Sequence, residues 1–137
     1  MIDTGVGFLD GELGLRWLVN GRKIPDMPHV TVREGQWVKI KFINRTFDYH
    51  PMHPHGHRLR VLSKAGQVSS GSPWYTDTLN VAPGETVEVA FKADNPGVWM
   101  DHCHNLIHAS EGLVMHLLYE NVMTPFKVGR TTRNKPD

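Results

Sequence analysis

The stretch Asp101-His102-Cys103-His104-Asn105-Leu106-Ile107-His108 holds the only cysteine of the chain and three of its nine histidines. In an extended strand successive side chains point to opposite faces, so His102 and His104 project one way and Cys103 the other. One tripeptide therefore serves two sites. A thiolate with imidazoles is a soft, mixed ligand set suited to copper or zinc, whereas paired imidazoles suit copper, zinc or iron. With copper on both faces, Cys103 would link the two sites covalently.

A second window, His50-Pro51-Met52-His53-Pro54-His55-Gly56-His57, lies about half a chain away, and the two windows together supply seven histidines and a thiolate. His29 and His116 fall outside them. A histidine alone is ordinarily a surface or core residue. Two His-x-His pairs with a Cys at an alternating position have little reason to coincide unless they bind metal, and they exceed the needs of one four-coordinate zinc.

The elements that must position these windows read as strands. Asn20-Gly21, following Leu15 to Val19, is a hairpin-turn signal because both residues tolerate positive φ. Pro25 and Pro28 hold an extended connection, and Val30 to Val32 lead to a Glu34-Gly35 turn. Val38, Ile40 and Phe42 alternate with Lys39 and Lys41, the period of a half-buried strand. Pro51 and Pro54 cannot donate ladder hydrogen bonds, so His50 to His55 is expected as a loop or sheet edge. Alternation resumes from His57 to Leu62. Thr78 to Val81 is a short strand, Ala82 to Glu85 a turn, and Val87, Val89 and Phe91 alternate again. After the Asn95-Pro96-Gly97 turn, Val98 to His104 is the strand bearing the metal tripeptide. Asn105 to Ser110 is a turn of helix, and Leu113 to Tyr119 a last apolar strand. Short strands punctuated by Gly and Pro, without a long helical period, argue for an all-β sandwich or barrel. Residues 1–137 read as one domain without repeats, with an ordered core over about 15–120 and a basic, polar tail, Lys127 to Asp137, that frays.

The paired windows resemble those of multicopper oxidases, the laccase-like enzymes, and in particular their C-terminal cupredoxin domain. That domain carries His-Pro-x-His-x-His, then His-Cys-His-x-x-x-His and an axial position five residues further on. The likeness takes in Asp77-Thr78 and the Ala82 to Glu85 turn and covers most of residues 18 to 120. It implies a cupredoxin-like Greek-key β-sandwich or barrel with at most short helical turns. It also implies that His50, Cys103 and His108 are the equatorial ligands of a type 1 copper. His53, His55, His102 and His104 become half of a trinuclear cluster, with His53 on the type 2 copper and the others on the type 3 pair. The implied activity is one-electron oxidation of a small reducing substrate, transfer through Cys103 to His102 and His104, and reduction of dioxygen to water.

His29, His57 and His116 match no ligand position in the resemblance, and His57 reads as a packing or supporting residue. The axial position falls on Leu113, where many members have methionine. Leucine cannot coordinate, which implies a three-coordinate type 1 copper of relatively high potential. Met115 shares the strand parity of Leu113 and is the alternative donor, although methionine in a final apolar strand is ordinarily core. Asp101 reads equally as a group that orients ligands or relays protons and as a solvated acid. Trp74, Tyr75, Trp99 and Met100 read as packing.

The resemblance implies a cluster of eight histidines, of which this chain supplies four. The rest would come from other cupredoxin domains of the same protein or from identical subunits. The reading that explains most is the C-terminal domain of a longer enzyme. A homo-oligomeric oxidase completing the cluster across subunits and a stand-alone blue-copper electron carrier stay open; the carrier leaves His53, His55, His102 and His104 without a role. A zinc-binding, non-redox module is the alternative of a different class. A net charge of +1 gives no electrostatic case for nucleic acid or an anionic membrane. No apolar run approaches the ~20 residues of a membrane span, and the N-terminus lacks a signal-peptide pattern. The resemblance implies an extracytoplasmic setting (periplasmic, secreted or cell-surface), with any targeting segment outside this chain. Asn44-Arg45-Thr46 matches a glycosylation triplet, a pattern frequent by chance.

Overall fold

Alternating apolar residues build two facing sheets in the computed structural model, which describes residues 1–24 and 26–125. The strands are β1 (Ile2–Leu9), β2 (Glu12–Val19), β3 (His29–Val32), β4 (Trp37–Ile43), β5 (His50–Pro54), β6 (Leu59–Lys64), β7 (Gln67–Val68), β8 (Tyr75–Thr76), β9 (Leu79–Val81), β10 (Thr86–Lys92), β11 (Val98–Cys103) and β12 (Val114–Tyr119); one helical turn, α1 (Leu106–Ser110), separates the last two. One sheet runs β4-β10-β6-β7 with β8 also on β6, the other runs β3-β12-β11-β5-β9, and β1 and β2 form a separate ribbon. The pairing is antiparallel except between β12 and β3. Val87, Val89 and Phe91 of β10 turn inward and join Met52, Leu79, Val81, Cys103, Leu113 and Leu117 of the other sheet in one core. The fold is the expected all-β sandwich with one short helical turn among the described residues.

Two expectations about extent and position change. Regular structure begins at Ile2, not near residue 15: β1 pairs with β2 throughout, and Ile2 is buried in the core. Asp10-Gly11, at φ 54° and 86°, makes the β1–β2 turn, just as Asn20-Gly21, at 52° and 76°, makes the next. β5 is an interior strand between β11 and β9, not an edge or loop. Its prolines fit because of where their missing donors fall. Pro51 faces β11 at the end of that strand, where its carbonyl accepts from His104 N–H at 2.6 Å. Pro54 has the opposite parity and faces the β9 side, beyond the last paired residues, Met52 and Leu79. Pro25 and the tail from residue 126 onward lie outside the described residues.

Candidate metal centre

β11 ends at Cys103, whose Sγ lies 3.8 Å from Nδ1 of both His50 and His108, and the two Nδ1 atoms are 3.2 Å apart. All three residues are buried, and their donor atoms fall within 4.8 Å of one another. His50 opens β5, two rungs from the Met52 that pairs with Cys103. His108 arrives by a reversal after β11. Asn105 caps α1 by accepting from Ile107 N–H at 3.2 Å, and Gly112, at φ 124°, turns the chain into β12. Any side chain at Gly112 would meet the Trp17 carbonyl at 2.7 Å.

A buried loop orients the His50 ring. Thr46 Oγ1 donates to Asn44 Oδ1 at 2.8 Å and lies 2.7 Å from His50 Nε2. With its proton committed to Asn44, the hydroxyl accepts from His50 Nε2–H, which leaves the Nδ1 lone pair facing Cys103. Asn44 in turn donates to the carbonyls of Asp48, Val81 and Ala82. Its amide is therefore a buried structural hub and no glycan acceptor. Replacing Thr46 with valine should weaken metal binding at His50 by about 10–100-fold, the usual effect of losing a partner behind a ligand. Competition with a chromogenic chelator would measure it; unchanged affinity would show that Thr46 does not set the tautomer.

Trp17 of β2 roofs this group. Its ring centroid lies 4.1 Å from that of His108 and 4.8 Å from that of His50, and its Nε1–H donates to Glu111 at 3.1 Å. Burial dominates the electrostatics beneath it. Desolvation, then the neighbouring His108, lowers His50 to about 4, and burial lowers His108 as well. Burial pushes the Cys103 thiol up to about 11. Without an ion the group is thus a protonated thiol between neutral imidazoles.

The other face of the sheet gathers four imidazoles, His102 and His104 from the end of β11 and His53 and His55 from the end of β5. His53 and His55 have ring centroids 4.9 Å apart, His53 and His104 5.0 Å, and His55 and His102 5.1 Å. Carbonyl oxygens can only accept, so two tautomers are fixed. His53 Nδ1–H donates to Asp77 O at 3.0 Å and His102 Nδ1–H to Cys103 O at 3.0 Å, which leaves each Nε2 as a lone-pair donor. The two Nε2 atoms of His55 and His102 are 3.0 Å apart. His57 is not among these rings. Its Nδ1–H donates to His55 O at 3.0 Å, and its Nε2 accepts from Tyr119 Oη at 2.6 Å, so it fastens the backbone that presents His55. His104 is exposed, while His102 is buried and held below the ordinary histidine value by that burial.

Leu113 stands on the rung of Cys103, whose amide donates to its carbonyl at 3.2 Å, whereas Met115 pairs two rungs further on with Asp101. Met115 lines a cavity of about 240 Å³ with Met52, Pro54, Phe91 and Asp101. Asp101 is no solvated acid: it is buried, both carboxylate oxygens lack a hydrogen-bond partner, and desolvation raises it to about 7. Trp74 and Tyr75 are about half exposed, whereas Trp99 packs over Gly56. Two supporting residues, Trp17 and Thr46, carry no sequence signal.

A two-sheet sandwich that gathers one sulfur and two imidazoles at the end of neighbouring strands is a cupredoxin-type metal domain. The chain belongs to the multicopper oxidase family, whose model matches residues 7–122. It is 36% identical over 103 residues to the multicopper oxidase MmcO of Mycobacterium tuberculosis, covering 75% of this chain and 20% of that protein. Among solved structures it resembles the blue copper oxidase from Nitrosomonas europaea, with a TM-score of 0.78 and 28% identity over 88% of this chain and 40% of that one. It also resembles the multicopper oxidase mgLAC, with a TM-score of 0.75 and 34% identity over 80% of this chain and 36% of that one. The chain thus spans about a fifth of that curated relative. Copper is the family's metal, and the donors present fit it: a buried sulfur within reach of the Nδ1 atoms of two buried imidazoles. No helix among the described residues is long and apolar enough to cross a membrane.

Proposed function

We propose that, in this domain of a multicopper oxidase, His50, Cys103 and His108 would hold a type 1 copper, and that Leu113, whose side chain cannot coordinate, stands beside them on the rung of Cys103. The domain contributes His53, His55, His102 and His104 as half of a trinuclear cluster. The reaction is oxidation of a small reducing substrate, one electron at a time, coupled to reduction of dioxygen to water. Copper in these sites supplies the one-electron chemistry that no side chain here provides.

The chain's own residues do the rest. Thr46 and the Asp77 carbonyl fix the tautomers of His50 and His53, Trp17 excludes water from the buried group, and His57 holds the backbone of His55. One observation carries the reading: Cys103, between two buried imidazoles on one face, is joined by single peptide bonds to His102 and His104. A collector and a reactor are thereby connected covalently across one strand.

The remaining cluster histidines come, in this reading, from another cupredoxin domain of the same protein or from an identical subunit. The greater length of the relatives supports that reading. The setting is extracytoplasmic, as the family resemblance implies. Dioxygen uptake by the copper-loaded chain, with a phenolic reductant and at known oligomeric state, tests the division of labour. The monomer should consume no dioxygen, and uptake should appear only with association or with an added cupredoxin domain that carries the complementary histidines. Rapid uptake by a strict monomer would refute the half-cluster assignment.

A further inference from the structure

The cavity of about 240 Å³ that Asp101 lines lies between the two sheets, where the edge strands β3 and β4 leave the sandwich open. Val30 and Lys41, both exposed, stand at its mouth. Phe42, Met52, Phe91, Met115 and Leu117 wall its buried end. Strand register sets Asp101 among these walls, for it pairs with Met115 on β12 and with Pro54 on β5, two residues from Met52. Among the described residues it is the only polar side chain on the buried part of the lining. It is 2% exposed, and neither carboxylate oxygen has a hydrogen-bond partner.

Buried polar groups are ordinarily paired, so an unpaired carboxyl on the wall of an open volume marks a place for an outside partner. Water is a poor fit, because each molecule needs about two to four polar contacts and a cavity walled by apolar side chains stays dry. An apolar cavity of ~150 Å³ already takes benzene, so this one accommodates a single ring with a short substituent. Two phenylalanines and two thioethers offer that ring favourable contacts. Charge decides the head group. Lys41 at the mouth opposes a cation, and an anion would lose its hydration among apolar walls beside Asp101. A hydroxyl donates to a carboxylate oxygen and accepts from a protonated carboxyl, so it satisfies Asp101 in either state.

We propose that this cavity is a binding site for a small neutral alcohol, whose hydroxyl bonds to the Asp101 carboxyl and whose apolar ring packs against Phe42, Phe91, Met52 and Met115. The site adjoins the candidate metal centre through Met52, which is both a wall of the cavity and the register partner of Cys103. It needs no metal, so the proposal stands whether or not the type 1 assignment does.

Benzyl alcohol, with ethylbenzene as its hydroxyl-free counterpart of similar shape, gives the test on the metal-free full chain. Methyl NMR resonances of Met52 and Met115 should shift as benzyl alcohol binds, while that of Met123, exposed and outside the cavity, stays in place. Asp101→Leu should weaken benzyl alcohol at least tenfold relative to ethylbenzene, the cost of an unmade buried hydrogen bond. Asp101→Asn, whose amide also bonds a hydroxyl, should keep the wild-type preference. Met52 and Met115 methyls unmoved at saturating benzyl alcohol, or an Asp101→Leu change that alters both affinities equally, would overturn the proposal and leave water as the occupant.

Discussion

Asp101→Asn should stabilise the metal-free protein above neutral pH and do so progressively less as the solution is acidified. The folded chain keeps the Asp101 proton up to about pH 7, because burial without a hydrogen bond disfavours the carboxylate. The unfolded chain loses it near 3.8. Below pH 4 both states are protonated and the residue adds no pH-dependent penalty. Between pH 4 and 7 the folded state binds the extra proton, so stability falls as pH rises. Above pH 7 the penalty is complete, about three pH units at ~1.4 kcal/mol each, on the order of 4 kcal/mol.

His50 acts in the opposite sense. Its value is lowered to about 4, so it destabilises the fold as pH drops below 6.5. That loss is common to wild type and variant and cancels in their difference. Urea unfolding of both proteins from pH 4 to 8 measures the difference directly; a pH-independent one would mean that Asp101 finds a partner inside the cavity.

Trp17→Ala should destabilise the fold by about 3–5 kcal/mol, the range for removing a large buried aromatic, and should also speed metal loss. Trp17 packs on His50 and His108 and ties β2 to Glu111, so its removal opens a path for water to both imidazoles. Trp17→Phe keeps the ring contact and loses only the hydrogen bond, a change of about 1 kcal/mol. Stopped-flow transfer of the metal to a chelator separates the two effects. Equal release rates from wild type and Trp17→Ala would reduce Trp17 to ordinary packing.

The metal tripeptide was legible because strand parity follows from backbone geometry alone. The two sides of Cys103 and His102 in the structure are those that alternation dictates. The strands with clean alternation, β4 and β10, were legible for the same reason. β5 was misplaced because a proline forbids only one hydrogen bond, and the sequence does not say which neighbour, or which end of a strand, that bond would have faced. β1 went unseen because Gly5 and Gly7 dilute its pattern, while Val6 and Phe8 stay exposed and show no burial signal. Trp17 and Thr46 were invisible for a further reason. Trp17 meets Glu111 across 94 positions of chain, and Thr46 is tied to His50 by a turn whose buried partners include Val81 and Ala82. Such supports are set by tertiary proximity, which no local spacing encodes.

Copper stoichiometry, with the visible and spin-resonance spectra of the loaded chain at known oligomeric state, tests the central assignment most directly. The assignment predicts a tightly held copper per chain with an intense thiolate-to-copper absorption that vanishes in Cys103→Ser and survives His104→Asn. Preferential uptake of zinc without that absorption, or an absorption indifferent to Cys103, would contradict it.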